Sequence, residues 1–320
     1  MSRQMRAAVI DGFGGPEAIR LAEVDRPLTA PDQVLIRIRA AGVNPVDLKT
    51  IRGRQAQRFP HHFPLIPGWD VAGTVEAAGP AVTRFKPGDR VVSYARKSCL
   101  EHGTYAEYVS MAEEAVAMAP KTVDLADAAG LPLAALTAWQ TIQSVQVAEG
   151  ETVLVHGGSG GVGSFAVQLL KEMGATVLAT SSQAGHDYLR SLGAEPVDRH
   201  ADVPAAVASI SPGGVDAALD LAGGQELVQL SVPLLKDGGR VASILAVPEI
   251  PEGASARGVW GRYTFVRPYG DQLAGLVSRV DAGQLLIHIH RSFELKEAAE
   301  ALRVLDGGGI RGKLILRVER

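Results

Sequence analysis

Seven residues near the middle of the chain, Gly157-Gly158-Ser159-Gly160-Gly161-Val162-Gly163, have types and spacing that suggest chemistry directly. They follow the apolar run Thr-Val-Leu-Val-His and precede Ser-Phe-Ala-Val-Gln-Leu-Leu-Lys-Glu-Met, an apolar helical stretch. Gly158, Gly160 and Gly163 fit G-x-G-x-x-G between a strand and a helix. That pattern gives a tight turn and a backbone bare enough for a pyrophosphate to reach helix amide groups. The residues point to a bound dinucleotide, with a glycine-rich turn lacking any ligand as the plain alternative.

The end of the next strand indicates which dinucleotide. A carboxylate about 20 residues past the glycines would bond a ribose 2′-hydroxyl. This chain has Ala179-Thr180-Ser181-Ser182-Gln183 there, and the nearest acid, Asp187, comes later in a helix. With no acid to repel a 2′-phosphate, NADPH is favoured, with Ser181 and Ser182 as donors. Arg199 and His200, after the following strand, are either its charge partners or solvated loop residues.

Other reactive residue types are sparse. Cys99 is the only cysteine, so neither an internal disulfide nor a multi-thiolate metal site can form, and a reducing, cytoplasmic setting fits. Catalytic zinc needs three Cys, His or carboxylate ligands. The adjacent pair His61-His62 lies in a Pro/Phe loop and is unsuited to chelation, so no metal is expected. Tyr94, Tyr188 and Tyr263 are not followed by lysine at Tyr-x-x-x-Lys spacing. Lacking a Lewis acid or a Tyr–Lys pair to form an alkoxide, the chemistry calls for a substrate that is already electrophilic. Asp47 reads as the cap of a helical turn. His156 reads as a packed histidine at a strand end. Cys99 lies beside Arg96 and Lys97, which could lower its pKa, but it reads as an incidental thiol.

These residues need elements to position them, and 320 residues is about two domains' worth of chain. The composition is 46 % hydrophobic and 21 % charged with net charge −3, which argues against a nucleic-acid or anionic-membrane partner. No signal-peptide-length or membrane-spanning apolar run is present. Residues 1–124 read as a β-rich domain: short strands at 6–10, 33–40, 70–77 and 90–93, the last after the turn Lys86-Pro87-Gly88-Asp89. From 125 to 267 the texture is a parallel α/β sheet. Strands are expected at 152–156, 176–180, 215–220, 240–245 and 263–266, and helices at 163–173, 187–192 and 225–235. Residues 268–320 add helices at 271–281 and 295–305 and a strand at 313–318.

Several motifs in order then resemble the zinc-free quinone oxidoreductases of the medium-chain dehydrogenase/reductase superfamily. They are Ala41-Gly42-Val43-Asn44-Pro45-Val46-Asp47, Pro67-Gly68-Trp69-Asp70-Val71-Ala72-Gly73, Gly103-Thr104-Tyr105-Ala106-Glu107-Tyr108, the glycine turn and the terminal Gly-Lys-Leu-Ile-Leu. The resemblance covers nearly the whole chain. It implies a doubly wound Rossmann domain inserted in a GroES-like catalytic domain, to which the C-terminal segment returns. It also implies NADPH use and a homodimer. Where zinc-dependent relatives carry Gly-His-Glu, this chain has Gly68-Trp69-Asp70.

Carried over by position, the resemblance implies that Asn44 and Lys49 line the nicotinamide end, although the family often has an aromatic residue in place of Lys49. Thr137 matches a phosphate-side contact, and Ser159, Gly160, Gly161 and Val162 match the pyrophosphate turn. Ile244, Leu245, Phe265 and Val266 match contacts near the nicotinamide, with core packing as the alternative for the apolar ones. The implied reaction is hydride transfer to a quinone, enone or alkenal, with Asn44 and Lys49 orienting oxygen and the proton coming from water, Tyr94 or Lys49. An enoyl-thioester reductase and a catalytically silent NADPH-binding sensor or scaffold remain as alternatives.

Overall fold

The computed structural model describes residues 4–318. Two compact units emerge, residues 4–133 with 268–318, and Ala134–Arg267. Where the composition change suggested a boundary at 124/125, the chain stays with the first unit to residue 133. The turn Asp127–Gly130 buries Ala128 and Ala129 there, and the Leu133 amide donates to the buried Asp70 carboxylate at 2.6 Å.

The first unit is built on Gln33–Val43, an 11-residue strand that pairs antiparallel with Asp70–Ala78, Tyr108–Ala112 and Lys313–Arg317. Its alternating Val34, Ile36 and Ile38 face the core. From Ala40 onward every residue is buried, because Lys313–Arg317 comes in along this stretch. The chain's last strand therefore completes a sheet begun near its start, in the order Ile289–Glu294, Lys313–Arg317, Gln33–Val43, Asp70–Ala78, Arg90–Tyr94, Val116–Met118. Helix Pro45–Ile51 follows the long strand directly and carries Asp47 and Lys49.

The second unit is a six-stranded, wholly parallel sheet ordered Glu195–Asp198, Thr176–Ser181, Thr152–His156, Val215–Asp220, Leu235–Ser243, Trp260–Tyr263. This is the doubly wound order with the first strand central, so ligands are expected at the carboxyl ends of the strands. The apolar, non-alternating strands suit burial on both faces.

Two local expectations differ from what forms, and one helix carried no expectation. The stretch 225–235 is helical only over Gln225–Ser231; Pro233 follows in a short 3-10 turn and the next strand starts at Leu235. The last parallel strand is Trp260–Tyr263, set by pairing with 240–243, and leaves Phe265 and Val266 in the segment beyond it. Helix Val203–Ile210 was not foreseen; Asp202 caps it by accepting the Ala205 amide at 3.0 Å.

Candidate active site

The glycine turn starts where the buried strand Thr152–His156 ends. Gly157 takes φ +75°, and its amide donates to Thr180 Oγ1 at 3.1 Å, while Gly158 N–H donates to the Thr180 carbonyl at 2.9 Å. A Cβ on Gly158 would stand 2.7 Å from the Ala179 Cβ, and one on Gly163 would stand 2.2 Å from the Gly157 carbonyl oxygen. Those two glycines permit close strand and helix packing. Gly160 differs: a Cβ there would meet only the Gly157 oxygen, at 3.4 Å. Nothing within the turn itself requires a glycine at 160. Helix Gly161–Glu172 begins at once, and its first amide groups have no carbonyl partner inside the helix. Ser159, Gly160, Gly161 and Val162 are partly exposed at this end, an arrangement that fits a pyrophosphate.

Behind the turn runs a hydrogen-bond chain. Ser231 Oγ donates its one hydrogen to the Leu227 carbonyl at 2.7 Å, so the 2.8 Å contact with His156 Nε2 requires that nitrogen to donate. His156 Nδ1 is then the acceptor for Thr180 Oγ1 at 3.4 Å, and Thr180 in turn accepts from Gly157. Burial lowers the His156 pKa to about 4, so the ring is neutral near pH 7. It supports the turn from within the core, as its strand-end position suggested.

At the end of the second strand, Ser181 is buried and its Oγ donates to the Ser182 carbonyl at 2.9 Å. Ser181 pairs with Asp198 on the neighbouring strand, and the Arg199 amide donates to the Ser181 carbonyl at 2.8 Å. Arg199 and His200 are exposed beside half-buried Ser182, with Arg199 Nε donating to His200 Nε2 at 3.1 Å. The sheet thus brings together Ser181, Ser182, Arg199 and His200. Asp198 is the carboxylate there, and its Oδ1 accepts the His200 amide at 3.0 Å. Thr137 is buried within helix Pro132–Ser144, where its carbonyl accepts Thr141 Oγ1 at 2.7 Å.

Two residues that the sequence reading passed over organise the ends of the next strands. Asp220 is fully buried and gathers the amides of Ala222, Gly223 and Gly224, together with Ser243 Oγ at 2.6 Å. Ser243 Oγ accepts the Leu245 and Ala246 amides, both at 3.0 Å. Core packing does not describe the neighbouring apolar side chains: Leu245 is 37 % exposed and Phe265 45 %. Ile244 and Val266 are half-buried. Gln140 fixes the segment beyond the last strand, bonding both the amide and the carbonyl of Arg267 at 2.8 Å.

In the first unit, Asn44 lies in a buried charged cluster. Its Nδ2 donates to Asp70 Oδ2 at 2.8 Å, and its Oδ1 accepts from Lys313, which also donates to the Val43 carbonyl at 3.1 Å. Both ends of the Asn44 amide are therefore engaged within the protein. Burial is the largest influence on the charged pair, raising Asp70 and lowering Lys313. Helix Pro45–Ile51 is capped by Asn44, three residues before Asp47; Asp47 Oδ2 closes the capping box from inside the first turn by accepting the Asn44 backbone amide at 2.8 Å, and it also accepts Tyr105 Oη at 3.0 Å. Burial raises the Asp47 pKa to about 7. Lys49 is half-buried, and burial followed by repulsion from Arg54 and Arg58 lowers its pKa. Tyr94 is 1 % exposed, its ring 6.1 Å from that of Trp69, and burial raises its phenol well above the usual range.

Cys99 is not activated by its sequence neighbours. Burial, then Glu101, raises its pKa, although Arg96 and Lys97 precede it in the sequence. Sequence proximity did not become an activating contact. The His61 ring packs against that of Phe13, tilted by 52° with centroids 4.9 Å apart. Among the described residues no group of three His, Cys, Asp or Glu side chains is placed to hold a metal ion. Gly68, in the Gly-Trp-Asp stretch, has φ +100°, and a Cβ there would stand 2.4 Å from Thr104 Oγ1.

A glycine-turn parallel sheet joined to a mixed β unit that recovers its last strand from the C-terminus defines a Rossmann-type fold with a GroES-like partner unit. The profile of the alcohol dehydrogenase GroES-like domain matches residues 30–121, and that described as zinc-binding dehydrogenase matches residues 192–316. The NADPH-dependent alkenal/one oxidoreductase of Arabidopsis thaliana is 33 % identical over 98 % of this chain and 80 % of its own. The quinone oxidoreductase of Sus scrofa is 34 % identical over 98 % of this chain and 97 % of its own. The solved quinone oxidoreductase of Coxiella burnetii superposes with a TM-score of 0.88 at 32 % identity, covering 99 % of this chain and all of that one. The chain belongs to the medium-chain dehydrogenase/reductase superfamily, among its quinone and alkenal/one oxidoreductases.

Proposed function

We propose that this protein is an NADPH-dependent, zinc-independent oxidoreductase that reduces a quinone or an α,β-unsaturated carbonyl. One observation carries the reading: an open glycine turn lies beside a second strand ending in Ser181-Ser182 with Arg199 next to it, in a chain similar over nearly its full length to quinone and alkenal/one oxidoreductases. In this reading the amides of the 159–162 turn hold the pyrophosphate, with Thr137 on its phosphate side. Ser181, Ser182, Arg199 and His200 hold the 2′-phosphate. Ile244, Leu245, Phe265 and Val266 supply apolar surface to the nicotinamide end. Bound NADPH supplies a hydride.

For an alkenal or enone the β-carbon gains the hydride and the α-carbon a proton; for a quinone, hydride plus proton give the hydroquinone. Of the side chains considered for proton delivery, Lys49 is favoured. Its surroundings make the amine more acidic, whereas burial holds the Tyr94 phenol protonated. A substrate oxygen could accept from Asn44 Nδ2 only in place of Asp70 Oδ2 or of the Gly42 carbonyl, the latter 3.4 Å away, so Asn44 is assigned to shaping the site.

The same reading includes a homodimer in the cytoplasm acting on a small molecule, with no nucleic-acid or membrane partner. No helix among the described residues is long and apolar enough to cross a membrane. NADPH consumption should be screened against 1,2- and 1,4-quinones, 2-alkenals and enoyl thioesters. Turnover with quinones or alkenals is the expected result. Turnover with enoyl thioesters alone, or NADPH binding with no acceptor raising turnover above background, would overturn it.

A further inference from the structure

Asp220 and Ser243 face each other in register at the carboxyl ends of adjacent parallel strands. The Asp220 carboxylate accepts four donors: Ala222 N–H at 3.1 Å and Gly223 N–H at 2.9 Å on one oxygen, Gly224 N–H at 2.8 Å and Ser243 Oγ–H at 2.6 Å on the other. Because the Ser243 hydrogen goes to Asp220, its oxygen is left with only acceptor capacity. The Leu245 and Ala246 amides fill that capacity. Two segments beyond neighbouring strands are thereby tied to one buried carboxylate. Gly224 lies alongside at φ +74°, where a Cβ would make ordinary contact with Leu245 and Ala246, at 3.7 and 3.8 Å.

A segment pinned only for packing would bury its apolar side chains. Here the backbone is fixed while Leu245 and Val247 stay exposed, Val247 by 71 %. We infer that Asp220 and Ser243 are positioning residues that hold the Leu245–Ala246 backbone as a preformed rest for the nicotinamide half of NADPH. The inference depends on the NADPH reading above. A preformed backbone removes an ordering cost from binding, so breaking the tie should weaken whichever part of the ligand rests on that segment and spare the rest.

The test compares NADPH with adenosine 2′,5′-bisphosphate, which carries the 2′-phosphate end and lacks the nicotinamide. Ser243→Ala should weaken NADPH about five- to tenfold, as expected for a lost hydrogen bond, and leave the bisphosphate within about twofold. Asp220→Asn should show the same selectivity. Equal weakening of both ligands, or no change in either, overturns the inference. A wild-type protein that binds neither overturns the cofactor reading beneath it. Amide hydrogen exchange on the wild-type protein needs no variant to fold. Leu245 and Ala246 should be protected like strand amides before NADPH is added, and exchange as fast as an open loop would contradict the preformed rest.

Discussion

The Arg199 amide donates to the Ser181 carbonyl at 2.8 Å, so a cationic side chain and a pair of serines share one end of the parallel sheet. If these groups hold a 2′-phosphate, Arg199→Ala should weaken NADPH by about tenfold, the scale of one charge-assisted hydrogen bond, and leave NADH nearly unchanged. Ser182→Asp should go further and reverse the preference. Calorimetric titration of both cofactors decides this, and equal losses for NADPH and NADH would remove Arg199 and Ser182 from the site.

His156 gives stability a pH dependence of known sign. Its folded pKa, about 4, lies below the ordinary 6.5, so the unfolded chain binds more protons between those values. The contribution is complete above about pH 6.5 and is lost as pH falls toward 4, amounting to about 3 kcal/mol in all. Urea melts at stepped pH should show His156→Gln with a flatter slope in that window. An unchanged slope would mean the histidine is not held neutral.

Asp47 acts in the opposite direction. Its folded pKa of about 7 is raised above the ordinary 3.8, so the folded protein retains a proton that the unfolded chain gives up, and stability falls as pH rises from about 4 to 7. Asp47→Asn should reduce that decline while still offering an oxygen to the Asn44 amide. A steeper decline in the variant would contradict the burial argument.

Lys313 answers two buried acceptors and lies 3.6 Å from Asp70 Oδ2, itself fully buried. Lys313→Met leaves that carboxylate without its cation and should destabilise the fold by about 3–5 kcal/mol. Asp70→Asn combined with Lys313→Met should recover part of the loss, because neither charge then remains buried alone. Chemical denaturation of Asp70→Asn, Lys313→Met and the double variant gives the comparison, and additive losses would sink the idea of a coupled pair.

Lys49 carries the proposed proton. Lys49→Met should lower turnover on the order of tenfold to a hundredfold with little change in the NADPH dissociation constant. It should also remove a basic limb from the pH–rate profile. A profile identical to wild type assigns the proton to another donor.

What could be read beforehand was local. The glycine turn was legible because strand, turn and helix are contiguous, and Asp47 because a cap acts within three residues. The helix at Val203–Ile210 carries equally local marks, Asp202 and Pro204 at its start, although it was not foreseen. Other partnerships exist only once strands align. Asp220 and Ser243 are 23 positions apart, and Asn44 and Lys313 are 269 apart. The Gly-Lys-Leu-Ile-Leu terminus gave the family resemblance, but nothing in its spacing showed that Lys313 would satisfy Asn44. Cys99 is the converse case, where adjacent cations in the sequence did not become neighbours that lower its pKa.

The central claim is hydride transfer from NADPH to an electrophilic carbon or quinone, and isotope transfer tests it most directly. With NADPH deuterated at nicotinamide C4 on the transferred face and a 2-alkenal as acceptor, mass and NMR analysis should find one deuterium at the β-carbon of the saturated product. With a quinone, NADPH should be consumed in step with hydroquinone formation. Saturated product without deuterium at the β-carbon, or NADPH bound and unconsumed with every acceptor, would contradict the account.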